Sequence, residues 1–85
     1  MKRKKLLGKI TRGNLNNVPF PDIVNLAIGF GFKISRIQGS HHIFKHPDLM
    51  ELLNLQEVHG EAKPYQIRQL LRLVERYNLR LEDET

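Results

Sequence analysis

Cysteine and tryptophan are absent from this chain of 85 residues. Aromatic residues are scarce, with four phenylalanines and two tyrosines. Acidic residues are outnumbered 14 to 9 by lysine and arginine, a net charge of +5. Each shortage excludes something. Without cysteine there is no disulfide, no thiolate metal site and no cysteine nucleophile. A chain that needs no disulfides suits a reducing cytoplasm, which is the expected location. No apolar run approaches the roughly 18 residues that a membrane-spanning helix requires, so no membrane partner is expected. The start, Met1 to Lys9, is basic but has no apolar core behind it, unlike a secretory signal. The length suits one compact domain, which buries roughly 60–65% of its unfolded surface and leaves no room for a cofactor-binding domain. No cofactor is expected.

What is present is positive charge, unevenly placed. Lys2, Arg3, Lys4, Lys5, Lys9 and Arg12 precede the first acidic residue, Asp22. Such a balance favours polyanions, nucleic acid above all. The chain divides into a basic extension over residues 1–17, a central domain over 18–79 and an acidic tail over 80–85. In the extension, Leu6, Leu7 and Ile10 have helical spacing, and the turn-rich Gly13-Asn14-Leu15-Asn16-Asn17 follows. It reads either as a docked helix or as a loose basic arm.

Pro19 and Pro21 suit the first turn of a helix, with Asp22 at its positive end. Ile23, Leu26, Ala27 and Phe30 continue as an apolar stripe, closed by Gly29 and Gly31. Phe32 to Gln38 reads as a strand with imperfect alternation, and Gly39-Ser40 as the centre of a tight hairpin turn. His41 to His46 alternates on the returning strand. His42, Phe44 and His46 face one way, and His41, Ile43 and Lys45 the other.

After the Pro47-Asp48 turn, Glu51 to Gln56 is expected as a third strand. Its leucines would also suit a helix, but Pro47 and Gly60 bracket too short a span for one with loops on both sides. Gly60 to Lys63 reads as a loop. Pro64 opens the last helix, whose apolar face is expected from Ile67, Leu70, Leu71, Val74 and Tyr77. Leu73 falls off that stripe, as an exposed leucine or a contact residue. The sum is an α+β domain of order α-β-β-β-α. It has a three-stranded antiparallel sheet with the helices packed on one face, the order of double-stranded-RNA-binding domains.

Three of the four histidines crowd into Gly39-Ser40-His41-His42-Ile43-Phe44-Lys45-His46. Ordinary hairpin residues would need no further explanation. A zinc site from His42, His46 and His59 has neither a cysteine nor a helical i, i+4 histidine pair behind it, so no metal is expected. The Gly39-to-Pro47 segment closely resembles the HicA family of toxins, from type II toxin–antitoxin pairs. It is set here after a helix, a Gly31-Phe32 step and a strand through Arg36-Ile37. The resemblance spans roughly residues 18 to 79. Relatives often carry a valine-proline-histidine segment after the third strand, where this chain has Glu57-Val58-His59.

The resemblance implies a double-stranded-RNA-binding-domain-like fold and metal-independent cleavage of mRNA. It also implies a HicB-like antitoxin that covers the active site in a hetero-oligomer. His41 matches the position of the catalytic histidine. Gly39, Ser40, His42, Lys45 and Arg36 are the candidate substrate contacts. Imidazole titrates near pH 6.5, so it can take the proton of a 2′-hydroxyl at neutral pH. Lys45 lies four residues from His41, about 13 Å along a strand, and would reach a neighbouring phosphate rather than the reacting one. The alternative is an RNA-binding or protein-interaction module on the same fold, without catalysis.

Overall fold

The computed structural model describes residues 2–82. The elements in order are α1 (Arg3–Thr11), α2 (Phe20–Gly29), β1 (Lys33–Gln38), β2 (His41–Lys45), β3 (Leu53–Val58), β4 (Glu61–Ala62) and α3 (Pro64–Arg76). The strands form one antiparallel sheet in the order β1-β2-β3-β4. Among the described residues no helix is long and apolar enough to cross a membrane.

One apolar cluster explains the layering. Phe44 of β2 and Leu53 and Leu55 of β3 are buried with Ile23, Leu26 and Ala27 of α2 and Ile67 and Leu70 of α3. A sheet with helices on one side buries each element's apolar face once. The expected α+β arrangement therefore holds, with an added strand and an added helix. The N-terminal extension is a docked helix: Leu6 and Ile10, one turn apart, bury against the same cluster. α1 packs on α2, and Arg3 Nη2 donates to Asn25 Oδ1 at 2.7 Å.

The three helices end alike. Beyond α2 the Gly31 N–H donates to the Ile28 carbonyl and the Phe32 N–H to the Ala27 carbonyl, the paired bonds of a Schellman motif. Gly13 and Asn78 hold the matching left-handed positions beyond α1 and α3. Gly31 has two reasons to be glycine. Its φ is 99°, and a Cβ there would lie 2.8 Å from His46 Nε2.

His46 cannot step aside. Its Nδ1 accepts from the Asp48 N–H at 3.1 Å, so Nε2 carries the proton that it donates to the Phe30 carbonyl at 3.0 Å. The ring also meets Phe32 edge-on, with centroids 5.1 Å apart. His46 thus clamps the end of α2 to the end of β2.

Three expectations need correction. Residues 60–63 are more than a loop. His59 and Gly60 both have positive φ, which turns the chain into β4, as in two-residue hairpins. Short as it is, β4 also accepts residues 18–20 along its other edge, through Ala62 N–H to Val18 carbonyl and a Pro19–Glu61 bridge. The third strand starts two residues late, because Glu51 is drawn away to Arg76 and Tyr77 at the end of α3. Leu73 is buried rather than exposed, while Tyr77 is more than a third exposed.

The buried face of α3 is thereby Gln66, Ile67, Leu70 and Leu73, with Leu71 and Val74 at its margin. Gln66 belongs there for a polar reason. Its Oε1 accepts the N–H of Gln56, on the β3 edge that the two-residue β4 is too short to cover. Of the acidic tail, Glu82 donates its N–H to the Gly29 carbonyl and Leu81 packs on the core, as does Leu79 just before it. Asp83 and Glu84 lie outside the described residues.

Gly31→Ala is expected to destabilise the domain by about 2 kcal/mol, from the left-handed backbone and the displaced His46 ring together. Urea denaturation of the two proteins measures the difference. A change within about 0.5 kcal/mol, the range of ordinary surface substitutions, would show that the His46 clamp is not tight.

Candidate functional site

β2 lies between β1 and β3, and its pleat decides which histidine goes where. Register with the neighbours extends each face across the sheet, because directly opposed residues point to the same side. On the helix-covered side His42 is paired with Ile37 and Leu55, and Phe44 with Ile34 and Leu53. On the open side His41 is paired with Gln38 and Gln56, Ile43 with Arg36 and Asn54, and Lys45 with Lys33. The open face thus brings together His41, Lys45, Arg36 and Lys33. Like charges directly opposed repel, so the Lys33–Lys45 pair favours an anion between or above them.

A bulge puts Arg36 there. The pairing of β1 with β2 slips between Ile34 and Arg36, leaving Ser35 as the extra residue. Without the slip, strict alternation would turn Arg36 to the helix side and Ile37 to the open face. This accounts for the imperfect alternation of Lys33 to Gln38. Ile34 and Ile37 are about half exposed, since β1 is the edge strand and the helices do not reach over it.

The four histidines have four different surroundings. His41 is half-buried on the open face, with Nδ1 3.2 Å from Asn54 Oδ1. His42 lies on the opposite face, with its ring 4.7 Å from that of Phe20 and its Nδ1 donating to the Ser40 carbonyl at 3.3 Å. His46 is the buried clamp described above. His59 is exposed in the β3–β4 turn at a φ of 52°. With both nitrogens of His46 bound to backbone, it does not join His42 and His59 as metal ligands. No group of three or more histidine, cysteine, aspartate or glutamate side chains is placed to hold a metal among the described residues.

Gly39 and Ser40 close the β1–β2 hairpin. Gly39 has a φ of 58°, as the first central residue of a glycine-led two-residue turn does, and no atom lies within 4 Å of where its Cβ would be. The turn is therefore open to a ligand. Ser40 ties it to β3: its carbonyl accepts the Glu57 N–H at 3.0 Å, and its hydroxyl accepts from Gln56 Nε2 at 3.4 Å. Asn54 and Gln56 escaped the sequence analysis. Nothing in a strand's own pattern says which side chain of its neighbour it will meet.

One concavity borders the Lys33–Lys45 pair, about 340 Å³ beside His46 and Pro47, and a larger one lies elsewhere. A groove of about 720 Å³ runs between α1, the end of α3 and residues 78–81, lined chiefly by Leu7, Phe30, Leu71, Val74 and Leu79. It holds no histidine.

A model of the HicA toxin family, from bacterial toxin–antitoxin systems, matches residues 20–75. The chain belongs to the HicA toxin family. The matched region runs from the first residue of α2 almost to the end of α3, so it contains the whole sheet and its open face. α1 and residues 79–82 flank it. Toxins of this family pair with HicB antitoxins in toxin–antitoxin systems. No curated protein and no solved structure matches the chain.

Among the described residues two titrations are displaced, both away from the open face. The hydrogen bond from Tyr77 and the Arg76 guanidinium hold the Glu51 carboxyl below its ordinary 4.5, and the same bond raises the Tyr77 phenol above 10.0. A lowered carboxyl adds stability above its unfolded value and loses it as the pH falls. A raised phenol adds stability below its unfolded value and loses it as the pH rises. Tyr77→Phe should therefore return the Glu51 titration upward toward 4.5, read by NMR of its side-chain carboxyl. An unmoved titration would assign the shift to Arg76 alone.

Proposed function

We propose that this HicA-family protein is a metal-independent endoribonuclease that cleaves mRNA on the open face of its sheet, with His41 as general base. One observation supports this above the others. His41 shares a half-exposed face with Arg36, Lys45 and Lys33, whereas His46 is bound to backbone at both nitrogens and His42 sits on the helix side.

The imidazole takes the proton of a 2′-hydroxyl, and the freed 2′-oxygen bonds to the adjacent phosphorus. The bond from phosphorus to the 5′-oxygen breaks, and that oxygen leaves with a proton from solvent. The products are a 2′,3′-cyclic phosphate and a 5′-hydroxyl. Proton transfer of this kind contributes about 10²–10⁴-fold in rate. Arg36 and the Lys33–Lys45 pair offset phosphate charge along the strand, and the Gly39-Ser40 turn lets the backbone approach. His42 supports the turn from beneath through Ser40. A HicB-like antitoxin would block the chemistry by occupying this face in a hetero-oligomer. Cytoplasmic mRNA is the substrate consistent with these roles.

Inducible expression tests the assignment. Wild type should arrest growth and fragment transcripts, and His41→Ala should do neither. Arrest by both proteins would favour RNA binding without cleavage, the alternative function of this fold. The contacts have their own test, made with His41→Ala so that the RNA survives. Arg36→Gln and Lys45→Gln should each reduce the salt dependence of single-stranded RNA binding by about 0.7 in log–log slope. An unchanged slope in either variant removes that residue from the interface.

A further inference from the structure

We infer that Asn54 is a positioning residue that holds His41 in the neutral tautomer whose solvent-facing Nε2 is free to act as the base; the inference rests on the assignment of His41 as general base. The contact joins His41 Nδ1 to Asn54 Oδ1 at 3.2 Å. An amide oxygen can only accept, so Nδ1 must carry the hydrogen. A neutral imidazole has one N–H. Nε2 is then the nitrogen with the free lone pair, the atom that can take a 2′-hydroxyl proton.

The register shows why Asn54 does this and its neighbours do not. Asn54 is opposed to Ile43, one diagonal step from His41 on the same face, within reach of a ring. Gln56 is directly opposite His41, but its amide is turned to the Ser40 hydroxyl. Ser40 is engaged in turn by Gln56 and by His42. No carboxylate is paired with His41 across either neighbouring strand, where Gln38 and Gln56 stand. The neutral amide therefore orients the ring without adding a full negative charge beside it. As the ring takes the proton, the Nδ1–H donor becomes cationic and its bond to Asn54 strengthens, so the contact gains most when the proton has moved.

The experiment reads the tautomer directly. Proteins labelled with ¹⁵N at histidine are compared at alkaline pH, where the ring is neutral, without RNA. The wild-type His41 spectrum should show a protonated Nδ1 and a bare Nε2. Asn54→Ala should lower the Nδ1–H population and reduce kcat on single-stranded RNA by at least about 10-fold, a part of what proton transfer contributes, with KM little changed. Asn54→Asp, which also accepts from Nδ1–H, should restore both the tautomer and most of kcat.

A purely structural role for Asn54 would lower thermal stability without moving the tautomer. An unmoved tautomer in Asn54→Ala overturns the inference, as does a moved tautomer with unchanged kcat. Undiminished cleavage by His41→Ala would overturn the assignment of the base itself. That result is distinct, because the tautomer is measured without substrate or turnover.

Discussion

On a pleated strand successive side chains point to opposite sides, and this rule governs β2 more than any other element. Phe44 is fully buried against α2, α3 and β3. Its burial commits the strand. His42 and His46 must turn toward the helices, and His41 and Lys45 must turn away from them. Slipping β2 by one residue would expose Phe44 and bury Lys45. The register that builds the core is thus the register that presents His41.

The clustered histidines then divide between the buried and the open side of the sheet. His46 is a structural group, bound at both nitrogens to backbone and set against Gly31, where its ring fills the space a side chain would need. His42 braces the hairpin turn and packs on Phe20. His41 has a polar neighbour, a half-exposed setting and a face with cations. Histidines close in sequence need not be close in purpose. The alternation that separates them by face gives them different solvation and different partners.

Around this sheet the chain adds two elements that the family match does not include. α1 brings Leu6 and Ile10 into the core, and residues 79–82 return across Gly29, with Leu81 and Arg3 both close to it. A helix as basic as α1 repels itself, since Lys5 and Lys9 are one turn apart and there is no acidic residue in its first turn. Its docking draws on the burial of Leu6 and Ile10 and on the bond from Arg3 to Asn25.

Much of this was legible in the residues. Three-and-four spacing placed α2 and the body of α3, Gly31 marked the end of α2, and Gly39-Ser40 marked the hairpin. Alternation then put His41 and His42 on opposite faces. The family resemblance rested on the same short segment. These features follow from local geometry, which a chain carries within a few residues of itself. The tertiary structure alone decided the Ser35 bulge that turns Arg36 to the open face, the short β4, the buried Leu73 and Gln66, and the meeting of His41 with Asn54. Each depends on register or rotation against another element. Two rotations of α3 satisfy its period almost equally well, and the hold of Arg76 and Tyr77 on Glu51 accompanies the one adopted. Periodicity says which residues share a face, and only packing says what that face meets.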